Sequence, residues 1–244
     1  MRAIVLADLD DTLFQSRRKC PPDIPEGRLR SIAVDADGKP VGFATPRQSA
    51  LLRWLSEGAC VVPVTARSRA GLERVSLSWR YAVCAHGGII LEDGRPWPAW
   101  ERRMTDAAAG CRGAFDDLEE RLAQAGNQDL RITRIGGPSP LFLLAKHGRR
   151  DDEALAAVAA ALTPALPEGW RASLNGNNLA LLPAHIRKEA AVAALLPRLR
   201  EQWPDAPIVG LGDSCSDAAF LRLCDVAAMP SRSQLARAAL GTAP

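Results

Sequence analysis

The sequence predicts an α/β protein in which a parallel-sheet core is interrupted by a smaller α+β segment. Residues 4–6 form a continuous β-prone run without an alternating polar face, which is typical of strands that are covered on both sides. Strand-like and helix-like stretches alternate near both ends of the chain, whereas several strands and two helices occupy the middle. We therefore expect a discontinuous core of residues 1–88 and 184–244, and an inserted domain of residues 89–183.

Composition limits the class of protein to which the chain can belong. It has 244 residues, of which 47% are hydrophobic, so it can bury a large core and is neither disordered nor fibrous. Its net charge is only +3 and no RNP or zinc-finger pattern concentrates that charge, so we expect no nucleic acid partner. Nothing in the composition indicates an oligomeric state.

The cysteines and the amino terminus indicate a cellular compartment. None of the six cysteines forms a CxxC pair, and Cys60 and Cys84 lie in apolar runs that predict buried thiols. Asp8 comes too early for a secretory signal to precede it, and no apolar run approaches membrane-spanning length. We expect a reduced, cytoplasmic protein without a membrane partner.

The segment after the first strand is rich in charge and proline. We therefore predict a surface loop that, with a small hairpin, occupies residues 15–45. The hairpin is expected from Ser31 to Phe43, where an Asp-Gly pair predicts a tight turn. Because it is close in sequence to the end of the first strand, we expect this region to lie near the functional site.

Helices and strands then alternate. Thr45 followed by proline is typical of a helix start, and Gly58 is typical of a helix end. A second buried strand ends on Thr65, a helix is predicted from about Arg69 to Ser78, and a third strand leads to His86. These elements complete the first part of the predicted core.

The pattern changes in the inserted domain and then returns to alternation. In order, we expect a hairpin about Asp93-Gly94, a helix from Ala114 to Ala125, strands from Leu130 to Ile135 and from Leu141 to Lys146, a helix from Asp151 to Leu162 and a strand pair about Asn175-Gly176. The core resumes with a helix that carries Lys188 in its first turn and a strand that ends near Asp213. A last short strand and a closing helix follow.

Acidic side chains follow the predicted strands at the points where these end. Asp8 and Asp10 come directly after the first strand, and Asp213 follows a strand near the carboxyl terminus. Parallel strands end at one edge of a sheet, where like charges repel unless a cation lies among them. Hard divalent cations prefer carboxylate oxygens, so the pattern favours a metal site over acids that merely cap a helix or a turn.

Two further side chains belong to the same edge. Thr65 ends a strand, where a threonine by itself usually caps the next helix. Lys188 lies near a helix start, where its charge opposes the helix dipole unless an anion is close by. We expect both residues to act together with the strand-end acids.

This set of motifs resembles the haloacid dehalogenase superfamily of phosphohydrolases. A DxDxT motif spans Asp8 to Thr12, a strand-end threonine is Thr65, a lysine is Lys188, and a GDxxxD motif spans Gly212 to Asp217. The insertion between the threonine and lysine motifs is similar in type to the α+β cap of the Cof-like, sugar-phosphatase branch. The resemblance implies a Rossmann-like parallel-sheet core with helices on both faces, and a smaller cap domain.

The resemblance also implies a Mg²⁺-dependent phosphatase and a role for each motif residue. Asp8 is implied as the nucleophile that forms an aspartyl-phosphate, and Asp10 as the general acid and base. Mg²⁺ would be held by Asp8, the backbone carbonyl of Asp10 and Asp213. Thr65 and Lys188 would bind the transferring phosphoryl group.

Some positions are supporting or depart from the family pattern. Asp217 is expected to support the metal or to orient Lys188, and Thr12 is a second supporting residue. Asp11 stands where glycine is common, and we expect its side chain to point away from the reaction. Ser216 stands where the branch typically has asparagine, which leaves the surroundings of the metal open.

The substrate is implied only as a class. By analogy with the branch, we expect a small phosphorylated metabolite such as a sugar or polyol phosphate. Candidate substrate contacts are His86, Gly87, Arg67, Asn175 and Asn178. The alternatives are a phosphomutase or phosphotransferase of the same fold, a phospho-receiver domain, and a protein that binds phosphorylated ligands without turnover. Intact Asp8 and Asp10 favour an enzyme over a protein without turnover, and they are compatible with either a phosphatase or a phosphomutase.

Overall fold

The computed structural model describes residues 3–125, 129–136 and 139–241. These residues divide into two compact units. The core unit comprises Met1–Trp97 and Lys188–Pro244, and the insert unit comprises Pro98–Arg187.

The helices and strands follow in chain order. The first part of the core unit contains β1 (Ala3–Ala7), β2 (Arg30–Val34), β3 (Pro40–Ala44), α1 (Pro46–Gly58), β4 (Ala59–Pro63), α2 (Arg69–Glu73), β5 (Tyr81–Cys84), β6 (Ile89–Glu92) and β7 (Arg95–Pro96). The insert unit contains α3 (Pro98–Ala109), α4 (Arg112–Ala125), β8 (Leu130–Ile135), β9 (Phe142–His147), α5 (Asp152–Leu162), β10 (Arg171–Leu174) and β11 (Leu179–Leu182). The second part of the core unit contains α6 (Lys188–Gln202), β12 (Ile208–Leu211), α7 (Ala218–Leu221), β13 (Val226–Ala228) and α8 (Gln234–Leu240).

A parallel sheet lies at the centre of the core unit. Its strands are ordered β13-β12-β1-β4, and β1 pairs in parallel with both β12 and β4. Ile4 on β1 is fully buried, and its register partners are Ile208 on β12 and Cys60 on β4. This sheet confirms the predicted parallel core, because continuous apolar strands need cover on both faces.

The register of this sheet determines where its strands end. Ala7, the last residue of β1, pairs with Leu211 at the end of β12 and with Pro63 at the end of β4. The residues that follow these three strands therefore emerge at one edge. A further parallel bridge between Val64 and Val83 brings β5 beside the same edge.

Helix α1 confirms the predicted start and end. The Thr45 hydroxyl accepts the Gln48 N–H at 3.3 Å, and the Gln48 side chain accepts the Thr45 N–H at 3.0 Å. This reciprocal capping box satisfies two backbone donors that lack intrahelical partners. The hairpin of β2 and β3 is also confirmed, with antiparallel pairing from Arg30 to Val34 against Pro40 to Ala44.

Helix α2 is shorter than predicted. It ends at Glu73, so the predicted extension to Ser78 is wrong. Val75 instead forms an antiparallel bridge with Ala33, and the Ser76 N–H donates to the Ile32 carbonyl at 2.7 Å. Pairing with the β2 strand thus replaces the helical hydrogen bonds that this segment would otherwise make.

The boundary between the units differs from the predicted one. The predicted hairpin about Asp93-Gly94 is present as β6 and β7, but it belongs to the core unit because β6 pairs with β5. The insert unit therefore begins at Pro98 rather than at residue 89, and it ends at Arg187 rather than at residue 183.

Helix α3 was not predicted from the sequence. Its buried residues are Trp100, Met104 and Ala108, which recur every four residues. This spacing is the signal of an amphipathic helix and was present in the sequence. The hydrophobic residues are far enough apart that charged residues between them obscured the pattern.

The insert unit has its own sheet and core. Its strands are ordered β10-β11-β9-β8, and all three pairings are antiparallel. One face is covered by helices α4 and α5, which bury the following cluster: Phe115, Leu118, Leu122, Leu143, Ala145, Leu155, Val158, Ala159, Leu162, Leu179 and Leu181. Apart from the missed α3, the helices and strands of this unit match those predicted to within about two residues.

The cysteines behave as predicted, and the helices are of ordinary length. Cys60 and Cys84 are buried, and all six cysteines have free thiols. Within the described ranges, we find no helix that combines the length and the apolar character needed to cross a membrane.

Candidate active site

The predicted site residues of the core unit lie around the carboxyl edge of the parallel sheet. The Asp8 N–H donates to the Leu211 carbonyl at 2.9 Å, which continues the β1 and β12 pairing by one residue. The Thr65 N–H donates to the Val83 carbonyl at 2.8 Å and so ties the end of the β4 segment to β5. Asp213 follows β12 after a single glycine. Strand register, rather than sequence proximity, therefore brings these side chains to one edge.

Lys188 links two acids inside this edge. Its ammonium donates to Asp8 Oδ1 at 2.7 Å and to Asp217 Oδ1 at 2.8 Å, and all three side chains are buried. Burial by itself would disfavour the charged ammonium, but Asp8 and Asp217 outweigh this and raise the pKa of Lys188. The anions that a lysine at a helix start requires are thus supplied by the protein.

Asp8 is electrostatically unusual. Burial raises the pKa of Asp8 to about 7, with the Lys188 ammonium acting in the opposite direction and Asp217 and Asp10 adding to the rise. A carboxylate in this position is therefore costly to ionise unless further positive charge lies nearby.

Three carboxylates meet at this point. Asp8, Asp213 and Asp217 each present one oxygen, and these oxygens lie within 4.8 Å of one another. The pKa of Asp213 is raised, mainly by burial and to a smaller extent by the negative charge of Asp217. The Thr12 hydroxyl donates a hydrogen bond to Asp213 Oδ1 at 3.1 Å. The group resembles a cation site, because three carboxylates lie close together and Lys188 is the cation that pairs with two of them.

The GDxxxD motif positions Asp217 by close packing. The backbone N–H and the hydroxyl of Ser214 donate to Asp217 Oδ2 at 3.1 and 2.8 Å. A Cβ atom on Gly212 would lie 2.7 Å from the Asp217 Cβ, so a side chain at Gly212 would displace Asp217. Ser216 stands where the branch typically has asparagine. Its hydroxyl oxygen lies 2.7 Å from the hydroxyl oxygen of Ser214, within hydrogen-bond distance.

Asp10 is held by an arginine that follows β4. Arg67 Nε donates to Asp10 Oδ2 and Arg67 Nη2 donates to Asp10 Oδ1, both at 2.7 Å. Burial acts to lower the pKa of Arg67. The hydrogen-bonded Asp10 outweighs burial, so the pKa of Arg67 is raised. Arg67 was predicted to contact substrate, and its pairing with Asp10 was not predicted, although Arg67 lies only two residues after Thr65.

Asp11 pairs with a different lysine from the one that contacts Asp8. Its carboxylate forms an ion pair with Lys19, which the sequence analysis did not predict. Asp11 has a φ of 64°, in the left-handed region that glycine enters freely and that aspartate tolerates better than most residues. The backbone conformation explains why glycine is common at this position of the motif.

Thr65 presents its hydroxyl beside these groups. The side chain is buried, and its oxygen accepts the Arg67 N–H at 3.1 Å. A hydroxyl that accepts one hydrogen bond still has its own proton to donate. Thr65 can therefore both cap the following turn and donate to an anion.

The residues after β5 adopt an unusual turn. Ala85, His86 and Gly87 have φ values of 53°, 57° and 99°, so three consecutive residues are in the left-handed region. The His86 N–H donates to the Thr65 carbonyl at 3.2 Å. This turn, which contains the predicted candidates His86 and Gly87, thus holds the backbone of the threonine motif.

The other two candidate substrate contacts lie in the insert unit. Asn175 and Asn178 are exposed and close the turn between β10 and β11 through two backbone hydrogen bonds of 3.0 and 3.1 Å. The Asn178 side chain donates to the Asn175 carbonyl at 3.2 Å. Both residues therefore have a clear structural role within that turn.

Comparison with known proteins relates the fold to solved structures. No protein-family model and no curated protein matches the chain. A trehalose-6-phosphate phosphatase related protein aligns over 93% of this chain and 86% of its own, with a TM-score of 0.52 and 19% identity. The C-terminal domain of trehalose-6-phosphate phosphatase from C. albicans aligns over 91% and 73%, with a TM-score of 0.54 and 16% identity.

A third structure, Thermoplasma acidophilum 0175, aligns over 96% of this chain and 86% of its own, with a TM-score of 0.55 and 14% identity. The chain shares the fold of these three structures, with a parallel-sheet core and a smaller α+β unit. This likeness confirms the fold that the four motifs predicted. At identities of 14–19%, the likeness establishes the fold alone.

Each acid in the segment from Asp8 to Asp11 has a different cationic partner. Lys188 contacts Asp8, Arg67 contacts Asp10, and the third acid contacts a lysine of the following loop. The motif that forms one acidic cluster in the sequence is thus divided into three separate ion pairs. The three acids therefore lie in different electrostatic surroundings.

Proposed function

We propose that the protein is a Mg²⁺-dependent phosphatase that hydrolyses a small phosphate monoester through a phosphorylated Asp8. The observation that carries this proposal is the buried group of Asp8, Lys188 and Asp217 beside Asp213. A carboxylate nucleophile, an ammonium and a cation-binding pair of acids are what phosphoryl transfer to a carboxylate requires.

The charge of this group fits a divalent cation. Asp8, Asp213 and Asp217 bring three negative charges when ionised, whereas the Lys188 ammonium that contacts two of them brings one positive charge. The difference is two charges, and the donors are carboxylate oxygens, which suit Mg²⁺. Asp8, Asp213 and the Asp10 carbonyl are the proposed ligands. Bound there, Mg²⁺ would neutralise charge on the phosphoryl oxygens.

The first proposed step transfers the phosphoryl group to the protein. An Asp8 carboxylate oxygen forms a bond to phosphorus while the bond from phosphorus to the leaving oxygen breaks. Protonated Asp10 gives its proton to that leaving oxygen, so the alcohol departs neutral. Asp10 is left as a carboxylate that accepts the two hydrogen bonds from Arg67.

The second proposed step returns the protein to its starting state. The Asp10 carboxylate takes a proton from water as the water oxygen attacks phosphorus. The bond between phosphorus and Asp8 breaks, inorganic phosphate leaves, and Asp8 is again a carboxylate. One water is consumed and one phosphate and one alcohol are released.

Thr65 and Lys188 are proposed to hold the phosphoryl group during both steps. Lys188 uses two of its three N–H donors on Asp8 and Asp217, and the third is proposed to donate to a phosphoryl oxygen. The Thr65 proton is proposed to do the same from the neighbouring strand. Donors that are fixed before substrate arrives stabilise developing charge without reorganisation.

The proposed substrate is a small phosphorylated sugar or polyol. The C. albicans trehalose-6-phosphate phosphatase domain and the trehalose-6-phosphate phosphatase related protein support this class, because they share the fold and their names include a sugar phosphate. The insert unit is proposed to act as a cap that selects the alcohol, with His86, Asn175 and Asn178 as candidate contacts. A screen of phosphorylated metabolites, ranked by kcat/KM, tests this choice, with a sugar or polyol phosphate expected first.

The proposed reaction is tested with p-nitrophenyl phosphate. We expect phosphate release that requires Mg²⁺ and that Asp8→Asn abolishes, because an amide cannot act as the nucleophile. Asp205→Asn, at an exposed position before the amino end of β12, is the matched control and should keep full activity. Full activity in Asp8→Asn would exclude the mechanism. With a sugar phosphate as substrate, formation of an isomeric sugar phosphate without free phosphate would instead favour the phosphomutase alternative.

A further inference from the structure

The guanidinium of Arg67 is engaged by the protein on several sides. Nε and Nη2 contact the two oxygens of Asp10, and Nη1 lies 3.5 Å from the Gly71 carbonyl. The guanidinium carbon lies 5.3 Å from the centre of the Phe14 ring, a cation–π contact. Three nitrogens and one face of the group therefore have partners within the core unit.

The backbone of Arg67 is fixed as well. Its N–H donates to the Thr65 hydroxyl at 3.1 Å, and its carbonyl accepts the Ala85 N–H at 2.6 Å. Ala85 begins the left-handed turn after β5, a conformation that persists only where the surrounding structure imposes it. Arg67 is thus tied to β4 and to β5 before any ligand is bound.

Phe14 connects this arginine to the loop that carries Asp10. Asp10 and Phe14 form a bridge, and the Asp11 N–H donates to the Phe14 carbonyl at 2.7 Å. Phe14 is buried. The same residue therefore contacts Arg67 through its ring and closes the tight turn of the motif through its backbone. The Asp10 backbone and the Asp10 carboxylate are consequently held by one connected set of contacts.

We propose that Arg67 is a positioning residue that orients the Asp10 carboxyl group for proton transfer, and that it is not a substrate contact. The inference rests on the proposed function. A planar fork fixes both oxygens of a carboxylate, which a lysine ammonium cannot do. Each Asp10 oxygen keeps a second lone pair, so the proton that is exchanged with the substrate still has a place.

Leaving-group dependence tests the role of Arg67. An aryl phosphate such as p-nitrophenyl phosphate departs with little protonation, whereas an alkyl phosphate such as glycerol phosphate requires it. We therefore expect Arg67→Met to lower kcat/KM at least about tenfold more for alkyl than for aryl phosphates, since a positioned acid contributes roughly 10²–10⁴-fold. The ratio kcat/KM is the right quantity because it covers the steps through departure of the alcohol.

The matched control is Arg69→Met, two residues away. Arg69 is exposed and pairs with Glu73, so its loss should affect aryl and alkyl phosphates equally and only slightly. Arg67→Lys keeps the charge and the stem without the fork, and it should show the same selective loss as Arg67→Met. It also preserves the test if Arg67→Met does not fold.

A double-mutant cycle separates positioning from substrate contact. If Arg67 acts through Asp10, then combining Arg67→Met with Asp10→Asn should cost little more on alkyl phosphates than Asp10→Asn alone. A substrate contact would instead give additive losses that are equal for aryl and alkyl phosphates, and this result would overturn the inference. If the wild-type protein releases no phosphate, or if Asp8→Asn is fully active, the proposed function itself is wrong and the inference falls with it.

Discussion

The core unit and the insert unit are built from contacts of different range. In the core unit, β1 lies between β4 and β12, so strands from both ends of the chain form one parallel sheet. In the insert unit, β8 pairs with β9 and β10 pairs with β11, each with a near neighbour in sequence and in antiparallel fashion. In the first arrangement, residues from both ends of the chain meet at one edge of the sheet, and the candidate active site is found there.

The charged residues of the two units differ in how deeply their ion pairs are buried. Asp8, Lys188 and Asp217 form a buried network in the core unit. In the insert unit, Arg134 on β8 forms exposed ion pairs with Asp116 and Glu119 of α4. Buried charges that lose a partner are costly, whereas exposed pairs contribute little. The difference predicts which unit tolerates the loss of a cation.

The largest effect is expected for Lys188→Met. Removal of the ammonium leaves Asp8 and Asp217 without their buried partner, which should lower the free energy of unfolding by about 3–5 kcal/mol. The kcat for p-nitrophenyl phosphate should fall roughly 10²–10³-fold, because a phosphoryl donor is lost. Urea unfolding and steady-state kinetics measure the two effects.

Arg134→Met is the corresponding change in the insert unit. Because its ion pairs are exposed, it should alter the free energy of unfolding by less than about 1 kcal/mol and leave kcat near the wild-type value. Equal destabilisation by the two substitutions would contradict the distinction between buried and exposed charges.

A smaller effect is expected from a cavity in the insert unit. Phe115 is fully buried, and its ring contacts Trp170 edge-on at a centroid distance of 5.1 Å. Phe115→Ala should cost about 3 kcal/mol through lost burial and the cavity that remains. Hydrogen exchange should then show lost protection in α4 and β9, with β1 and β4 unaffected. Uniform loss along the whole chain would show that the two units unfold together.

A more modest change is expected in metal affinity. Asp213→Asn removes one charge from the three carboxylates and should raise the Mg²⁺ concentration for half-maximal activity at least about tenfold. EDTA should abolish wild-type activity, and added Mg²⁺ should restore it. Asp205→Asn, at an exposed position before the amino end of β12, should leave the Mg²⁺ titration as in the wild type. An unaltered titration in Asp213→Asn would remove this residue from the proposed ligands.

The smallest effects are expected from a matched pair of helix caps. Thr45 caps α1 in the core unit, and Asp151 caps α5 in the insert unit by accepting the N–H groups of Glu153 and Ala154. Each change to alanine should cost about 1 kcal/mol. We expect hydrogen exchange to increase only around the helix that lost its cap. Equal exchange in both helices after either change would argue against separate units.

The sequence predicted the elements whose signals are local. The apolar run before Asp8, the cap at Thr45 and the hairpin about Asp93-Gly94 were all recognised, because each depends on residues adjacent in the chain. The α3 helix was missed although its apolar period was present, and α2 was predicted too long because its last residues pair with a strand about forty positions away. Local propensity cannot foresee such a pairing.

For the candidate site, the sequence by itself determined which chemical groups follow the strands and that carboxylates would outnumber cations there. Only the tertiary structure decided the pairing, with Lys188 on Asp8 and Asp217, and Arg67 on Asp10. The reason is that residue identity and spacing are properties of the chain. Which cation neutralises which acid depends instead on strand register and side-chain conformation across elements as many as 180 residues apart.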